Sequence, residues 1–345
     1  MLEVKPLFTS LSWFPYLWFQ GGDHEGVNQE VAGLIRKFLF IRQLSLVFLQ
    51  VMVSMAGFAT EQATEKAEES RPLDETERFF ILANLEFTLL HEFSHLLIEE
   101  LKLPVLGMEE DAADRIALVA MQESRRHQHV DEAIPWLFAV AGDWYTEWEM
   151  KVGEDGRGET PAYWDNHPLE IQRFYNIVCL IVGGNGGLLD DLVNAELLPF
   201  ERAMACEREY QQARHAVRWL LDNYGHAEEA GNMPAPKVIT LSYERPLPGR
   251  NQPIYELLRS SQLAEELARL LETRFKLPRA VKIEFENCVS VPDAYWHSGT
   301  SSVTLCYELL DRFRELAAYR RRYSQRACGI PSLRKLMGQH LYCKD

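Results

Sequence analysis

The chain has no glycine-rich phosphate loop and no repeat of fixed period, which argues against a P-loop or dinucleotide fold and against a solenoid or propeller. It is short of positive charge: 36 Lys and Arg stand against 51 Asp and Glu, a formal net of −15. A surface of that sign repels phosphate backbones and anionic headgroups, so neither nucleic acid nor a membrane surface is expected as the main partner. None of its six cysteines has the C-x-x-C spacing of a metal or redox motif. The almost entirely apolar stretch from Leu44 to Ala59 has 16 residues, fewer than the about 20 that a bilayer span needs. With 47% hydrophobic and 25% charged residues over 345 positions, the composition is that of a soluble protein with one large core or two smaller ones.

Residues His91-Glu92-Phe93-Ser94-His95 form an H-E-x-x-H motif inside a long run of helical pattern. On a helix, positions i and i+4 lie about 40° apart around the axis, so both imidazoles project from one face. Neutral imidazole nitrogens bind Zn²⁺ at about 2.0–2.1 Å, and two histidines one turn apart supply a pair. Glu92 then stands beside the ion, where a carboxylate can take a proton from water activated by the metal. The segment Leu101-Lys102-Leu103-Pro104-Val105-Leu106-Gly107 has the punctuation of a helix end and a loop. A second helix opens after it. Glu110 comes 15 residues after His95, and Asp114 one turn later. A carboxylate third ligand leaves the fourth position of a catalytic zinc open. An acidic group one turn on can accept the free ring N–H of a ligand histidine and fix its tautomer. The expected ligands are His91, His95 and Glu110, holding one Zn²⁺ per chain, with Glu92 as general base and Asp114 behind a ligand. Glu109 and Asp111 are rival third ligands; both face elsewhere if Glu110 faces the metal, and neither has a carboxylate four residues on. The plainer alternative is two partly exposed histidines on an amphipathic helix.

From Phe80 to His95, and again from Leu103 to Asp114, the chain resembles the bacterial metallopeptidase family DUF4344 and, more broadly, the gluzincins, whose pattern is H-E-x-x-H followed by E-x-x-x-D. The resemblance continues from His167 to Cys179, from Cys206 to Tyr210 and from Cys288 to Leu309, and so covers about residues 75–315. It implies a zinc peptidase fold acting on peptide or protein substrates, without saying which. Two positions depart from the family pattern: Asn166 stands where an acidic residue is expected, and Asp293 where Asn is expected. Both lie off the metal motif, so they bear on specificity rather than on metal binding.

Residues 35–42 are basic, 44–59 apolar, Gly57-Phe58-Ala59 is small-x-small, and 60–72 turn polar. This is the layout of a secretory signal peptide ending near Ala59. An uncleaved anchor over 35–59, the one expected route to a membrane, and a buried or amphipathic helix are the alternatives. Residues 1–34 have no clear periodicity and form an N-terminal extension. The expected location is periplasmic or extracellular. An oxidising compartment favours disulfides, and six cysteines allow 15 pairings. Sequence alone does not choose among them; the pairs expected are Cys179 with Cys206, across neighbouring helices, and Cys288 with Cys306, across neighbouring strands. Buried free thiols are the alternative.

Periodicity predicts helices over 77–101, 109–124, 130–149, 169–182 and 199–223, with a turn at 183–187. From Pro236 the pattern changes: strands are predicted at 238–243, 280–285 and 302–306, and helices at 254–275 and 307–318. The fold class is α+β: a mainly helical, zincin-like metallopeptidase core over 74–225, a small C-terminal sheet with flanking helices over 236–318, and a disordered basic tail over 320–345. The strand near Ser302 is the expected edge for pairing with an extended substrate backbone.

Peptide hydrolysis builds an oxyanion that a hydrogen-bond donor can stabilise. His167 is the expected catalytic donor, with Arg173 and Tyr175 as further candidates; a structural His-Pro turn and an Arg173–Glu170 pair are the alternatives. Asn84, seven residues before His91, shares its helix face and stands either behind the ligands or bonded within its own helix. His127 and His129 read as a solvated helix end, and Trp136, Phe138 and Trp144 as core. The function these residues support is an exported zinc metallopeptidase. The competing readings are a zinc-binding but proteolytically inactive envelope or interaction protein, and a helical domain without metal. Intact His91, Glu92, His95 and Glu110 favour the first.

Overall fold

The computed structural model describes residues 71–323 except 126–129, 154–157, 159, 227–237, 248–250 and 290–291, together with 328–329, 331, 334 and 335. They fall within one unit of the chain, Lys66–Asp345. The expected extension over 1–34, the signal or anchor over 35–59, His127, His129 and most of the tail lie outside them.

Helix α1 (Glu75–Glu100) begins with a capping box. The Glu77 N–H donates to Asp74 Oδ1 (2.8 Å) and the Asp74 N–H to Glu77 Oε2 (2.8 Å). Phe80, Ile81, Leu85, Leu89, Phe93 and Leu96 are all at most 2% exposed. A helix apolar on nearly every side belongs at the centre of a fold. Helices α2 (Glu109–Ser124) and α3 (Val130–Val152) pack against it. Next come α4 (Glu170–Gly184), a 3-10 turn (Gly186–Leu188), α5 (Leu189–Asn194) and α6 (Phe200–Tyr224). Helices α4 and α6 approach closely: a Cβ at Gly183 would stand 2.2 Å from the Cys206 carbonyl oxygen. One turn earlier, the Cys179–Cys206 disulfide joins the same two helices, with Cα atoms 4.7 Å apart.

The C-terminal part runs β1 (Ile239–Tyr243), α7 (Gln252–Ser261), α8 (Leu263–Arg274), β2 (Val281–Glu286), β3 (Ala294–His297), β4 (Ser302–Cys306) and α9 (Tyr307–Tyr323). The sheet order is β1-β2-β4-β3, with β3 antiparallel and the other pairs parallel. Parallel β1 and β2 need a long crossover, which α7 and α8 supply. Buried Glu272 on α8 fastens that crossover by accepting the N–H groups of Val238 (2.7 Å) and Ile239 (2.6 Å). Strand β3 and helix α9 both pack on α1, and a single apolar cluster runs through helices and sheet from Leu73 to Ala317.

The fold is α+β and mainly helical, with the small mixed sheet on the C-terminal side. Four expectations need correction. The helix predicted over 254–275 is two helices, broken at Gln262, which takes a left-handed φ of 56°. Strand β3 was not anticipated, and it is the edge beside α1. The strand at Ser302 is interior instead: all five residues of β4 are buried, because both faces and both flanks are covered. The last helix runs through Arg320 to Tyr323, where the basic tail was expected to begin. Cys288 is bonded to Cys306 as expected, but from the loop after β2 rather than from a strand. Among the described residues, no cysteine is free, and no single helix is long and apolar enough to cross a membrane.

Gly183→Ala should cost about 1–3 kcal/mol, the usual penalty of overpacking a tight contact, read as a fall in the urea midpoint. An unchanged midpoint would mean that α4 and α6 are not in contact there.

Candidate metal centre

The loop 101–108 turns the chain from α1 into α2, and the two helices pack together so that the His91 and His95 face of α1 meets the first turn of α2. His91 Nε2 and His95 Nε2 stand 3.1 Å apart. Glu110 Oε2 lies 3.2 Å from the first and 3.5 Å from the second. A tetrahedral ion with bonds of about 2.05 Å holds its ligands about 3.3 Å apart, so these edges have the size that such an ion requires. Within the described residues, His91, His95 and Glu110 are the group of His, Cys, Asp and Glu side chains able to hold a metal.

The outer nitrogens complete the pattern. His91 Nδ1 is 2.9 Å from Asp114 Oδ1, and His95 Nδ1 is 2.8 Å from Glu109 Oε1. A carboxylate on Nδ1 keeps the proton there and leaves the Nε2 lone pair facing the centre. Asp114 is held in turn by Arg173, whose Nε donates to Oδ2 (2.8 Å) and whose Nη2 donates to Oδ1. The guanidinium lies 3.6 Å from the centre of the Trp144 ring. The donor set therefore fits a zinc-type ion in ligand kind, spacing and ring orientation.

The electrostatics agree. Burial opposes protonation of His95, but hydrogen bonds to Glu110 and Glu109 outweigh it and push the ring up to about 9. His91 is raised too, as Asp114 and Glu110 override its burial. Burial also opposes the charge on Glu110, yet the three histidines around it hold its carboxyl far below the usual range. Arg173 likewise keeps Asp114 low against its burial. All four directions describe a centre that attracts positive charge, whether proton or metal ion. Glu92 is buried, and that burial raises it to about 7, while His91, His95 and the backbone N–H of Trp296 in β3 pull it down.

His167 also reaches the centre. Its Nε2 is 3.2 Å from Glu110 Oε2 and its Nδ1 is 3.0 Å from Asp165 Oδ1. The Glu110 contact, partly offset by burial, raises its ring to about 9. It comes from the loop before α4, where its own N–H donates to Asp165 Oδ1 (2.9 Å). His91, Glu92, His167 and Arg173 line one cleft of about 830 Å³, walled by α1, α3 and α9.

The other candidates divide between this cleft and the core. Arg173 lines the cleft, and its Nε and Nη2 donate to Asp114. Glu170, its suggested partner, pairs with Lys151 instead. Tyr175 packs against the core and lines a separate cavity with Asp111 and Arg202. Asn84 lines the cleft, but its Nδ2 donates to Phe80 O within its own helix (3.0 Å). Phe138 is core, Trp136 donates to Glu86 (2.7 Å), and Trp144, read as core, lines the cleft. Glu109 was missed as the partner of His95. Its position one residue before Glu110 was the available signal, but the facing of two helices decides which ring it meets.

An H-E-x-x-H helix whose two imidazoles converge with a glutamate from the following helix defines a centre of the metallopeptidase type. The chain belongs to the family DUF4344, described as "Putative metallopeptidase", whose model matches residues 47–221 and 243–337. No curated protein and no solved structure matches it. The family implies a metal and a peptide or protein substrate.

Asp114 and Arg173 are 7% and 5% exposed. Asp114→Ala, which strands a buried guanidinium, should therefore lower stability by about 3–5 kcal/mol in urea unfolding of metal-free protein. A loss well under that range would mean that water reaches the pair.

Proposed function

We propose that this protein is an exported zinc metallopeptidase that uses Glu92 as general base. The observation that carries the reading is the triangle of His91 Nε2, His95 Nε2 and Glu110 Oε2, with edges of 3.1, 3.2 and 3.5 Å. Two imidazoles and one carboxylate suit zinc, whereas calcium and magnesium favour sets made wholly of oxygen. When bound, the ion supplies Lewis-acid polarisation of a carbonyl and acidifies water.

The chain's own residues do the rest. Glu92, raised toward neutrality by burial, takes the proton from the attacking water and passes it to the leaving amine. His167, at the cleft beside Glu110, donates to the developing oxyanion. Asp114 and Glu109 hold the two ligand rings, and Arg173 holds Asp114. The edge strand β3, tied to α1 by the Trp296 indole donating to Glu99 (2.7 Å), offers an extended substrate backbone a pairing partner. The disulfides Cys179–Cys206 and Cys288–Cys306 are compatible with an oxidising compartment, and the basic-then-apolar layout of 35–59 supports export.

Elemental analysis of protein made in an oxidising compartment should find one zinc per chain in the unmodified protein and in Glu92→Gln, and none in His95→Ala. Peptide hydrolysis should fall by at least about 10²-fold in Glu92→Gln. Folded, unmodified protein without zinc would overturn the centre. Zinc without hydrolysis would leave the proteolytically inactive reading.

A second expectation concerns the support of His91. Arg173→Met should weaken zinc binding by about 10–100-fold in competition with a chelator. Equal affinity would remove Asp114 and Arg173 from the metal's support.

A further inference from the structure

Asp143 on α3 is 4% exposed and lines the cleft that opens on His91 and Glu92. Its Oδ1 has no hydrogen-bond partner among the described residues. An unmade hydrogen bond at that depth costs about 1–3 kcal/mol, so the atom is a liability unless something enters the cleft to meet it. Nine Asp and Glu side chains line the cleft, against three Lys and Arg side chains and the two histidines His91 and His167. Each of the three Lys and Arg side chains is already engaged. Lys151 pairs with Glu170, Arg173 with Asp114, and Arg312 with Glu147 (2.9 Å) and Glu315 (2.8 Å). Arg320 adds a favourable field at Asp143 but stacks over Phe80, 5.0 Å from the ring centre.

We propose that this cleft holds a subsite for one lysine or arginine side chain of the substrate peptide, with the Asp143 carboxyl as its floor. The proposal rests on the peptidase reading for the identity of its ligand. A single ammonium or guanidinium group needs one carboxylate. A divalent ion needs several free oxygens, and Glu147, one turn beyond Asp143, is already held by Arg312. Phe87 and Phe313 line the same cleft and give the stem of a long cationic side chain apolar surface. Burial, and then the neighbouring Glu147, push the Asp143 carboxyl well above its ordinary range. A cation entering the cleft would favour its charged form.

Binding tests this without needing turnover. Blocked hexa-alanine peptides carrying Arg, Lys, Gln or Glu at each position in turn are titrated against Glu92→Gln protein by calorimetry. At one position, Arg and Lys should bind at least about tenfold tighter than Gln, the ratio that one charge-assisted hydrogen bond provides. Asp143→Asn in the same background should bring that ratio close to one. No preference for a cation, or a preference that survives Asp143→Asn, overturns the subsite. Competition supplies a readout if that variant does not fold: N-acetyl-arginine amide should displace the Arg peptide while uncharged N-acetyl-norleucine amide does not, and equal competition overturns the proposal. Hydrolysis of the same peptides by the zinc-loaded, unmodified protein is read separately. Charge preference without cleavage keeps the subsite and removes the peptidase reading; cleavage without charge preference does the reverse.

Discussion

Asp114 and Arg173 meet where water has little access, and removing either one would leave the other a buried charge without its partner. The consequence passes outward. Both donors of Arg173 close on Asp114 while the guanidinium rests on Trp144, so the carboxylate has no freedom to swing. Asp114 Oδ1 stands 2.9 Å from His91 Nδ1, so a fixed carboxylate bears on the ring whose Nε2 faces the centre. A ligand on α1 is thus aimed by a residue on α2, which is held by a residue on α4, which lies against a residue on α3. The geometry of the centre is a product of four helices docking, and the apolar cluster around α1 is what holds that docking in place.

The three histidines around Glu110 show one arrangement at three depths. Each has a carboxylate on Nδ1, buried Asp114 behind His91 and half-exposed Glu109 and Asp165 behind His95 and His167, while the rings themselves run from 9% through 15% to 55% exposed. Restraint weakens along that series, because solvent competes for exposed pairs and screens them. The two rings with the drier surroundings belong to the converging triangle, and the wettest one belongs to a loop.

Much of the centre was legible in the sequence because helical periodicity is local. His91 and His95 share a face by their spacing, Glu110 and Asp114 share one by theirs, and the loop between the helices is too short to keep those faces apart. What depends on docking was not legible. Nothing in the spacing says that Glu109 would reach His95, or that Arg173 would take Asp114 rather than Glu170. Strand β3 has only four residues with one covered face, a signal too brief to separate from a loop. Strand β4 escaped as an interior strand because burial on both faces removes the alternation by which an edge or a half-covered strand is recognised. Gln262 carries neither the glycine nor the proline that usually marks a helix break, so two helices read as one.

The converging triangle draws on residues 91–110 alone, one helix end, one short loop and one helix start. The strand that lies against Glu92 arrives about 200 residues later, at Trp296. Loops that short close at small entropic cost, and long ones delay the contacts they permit. A chain emerging from the ribosome thus completes the segment that carries the triangle long before the strand beside Glu92 has been made. The residues that converge on Glu110 and the strand beside Glu92 are separated in time by the order in which the polypeptide is built.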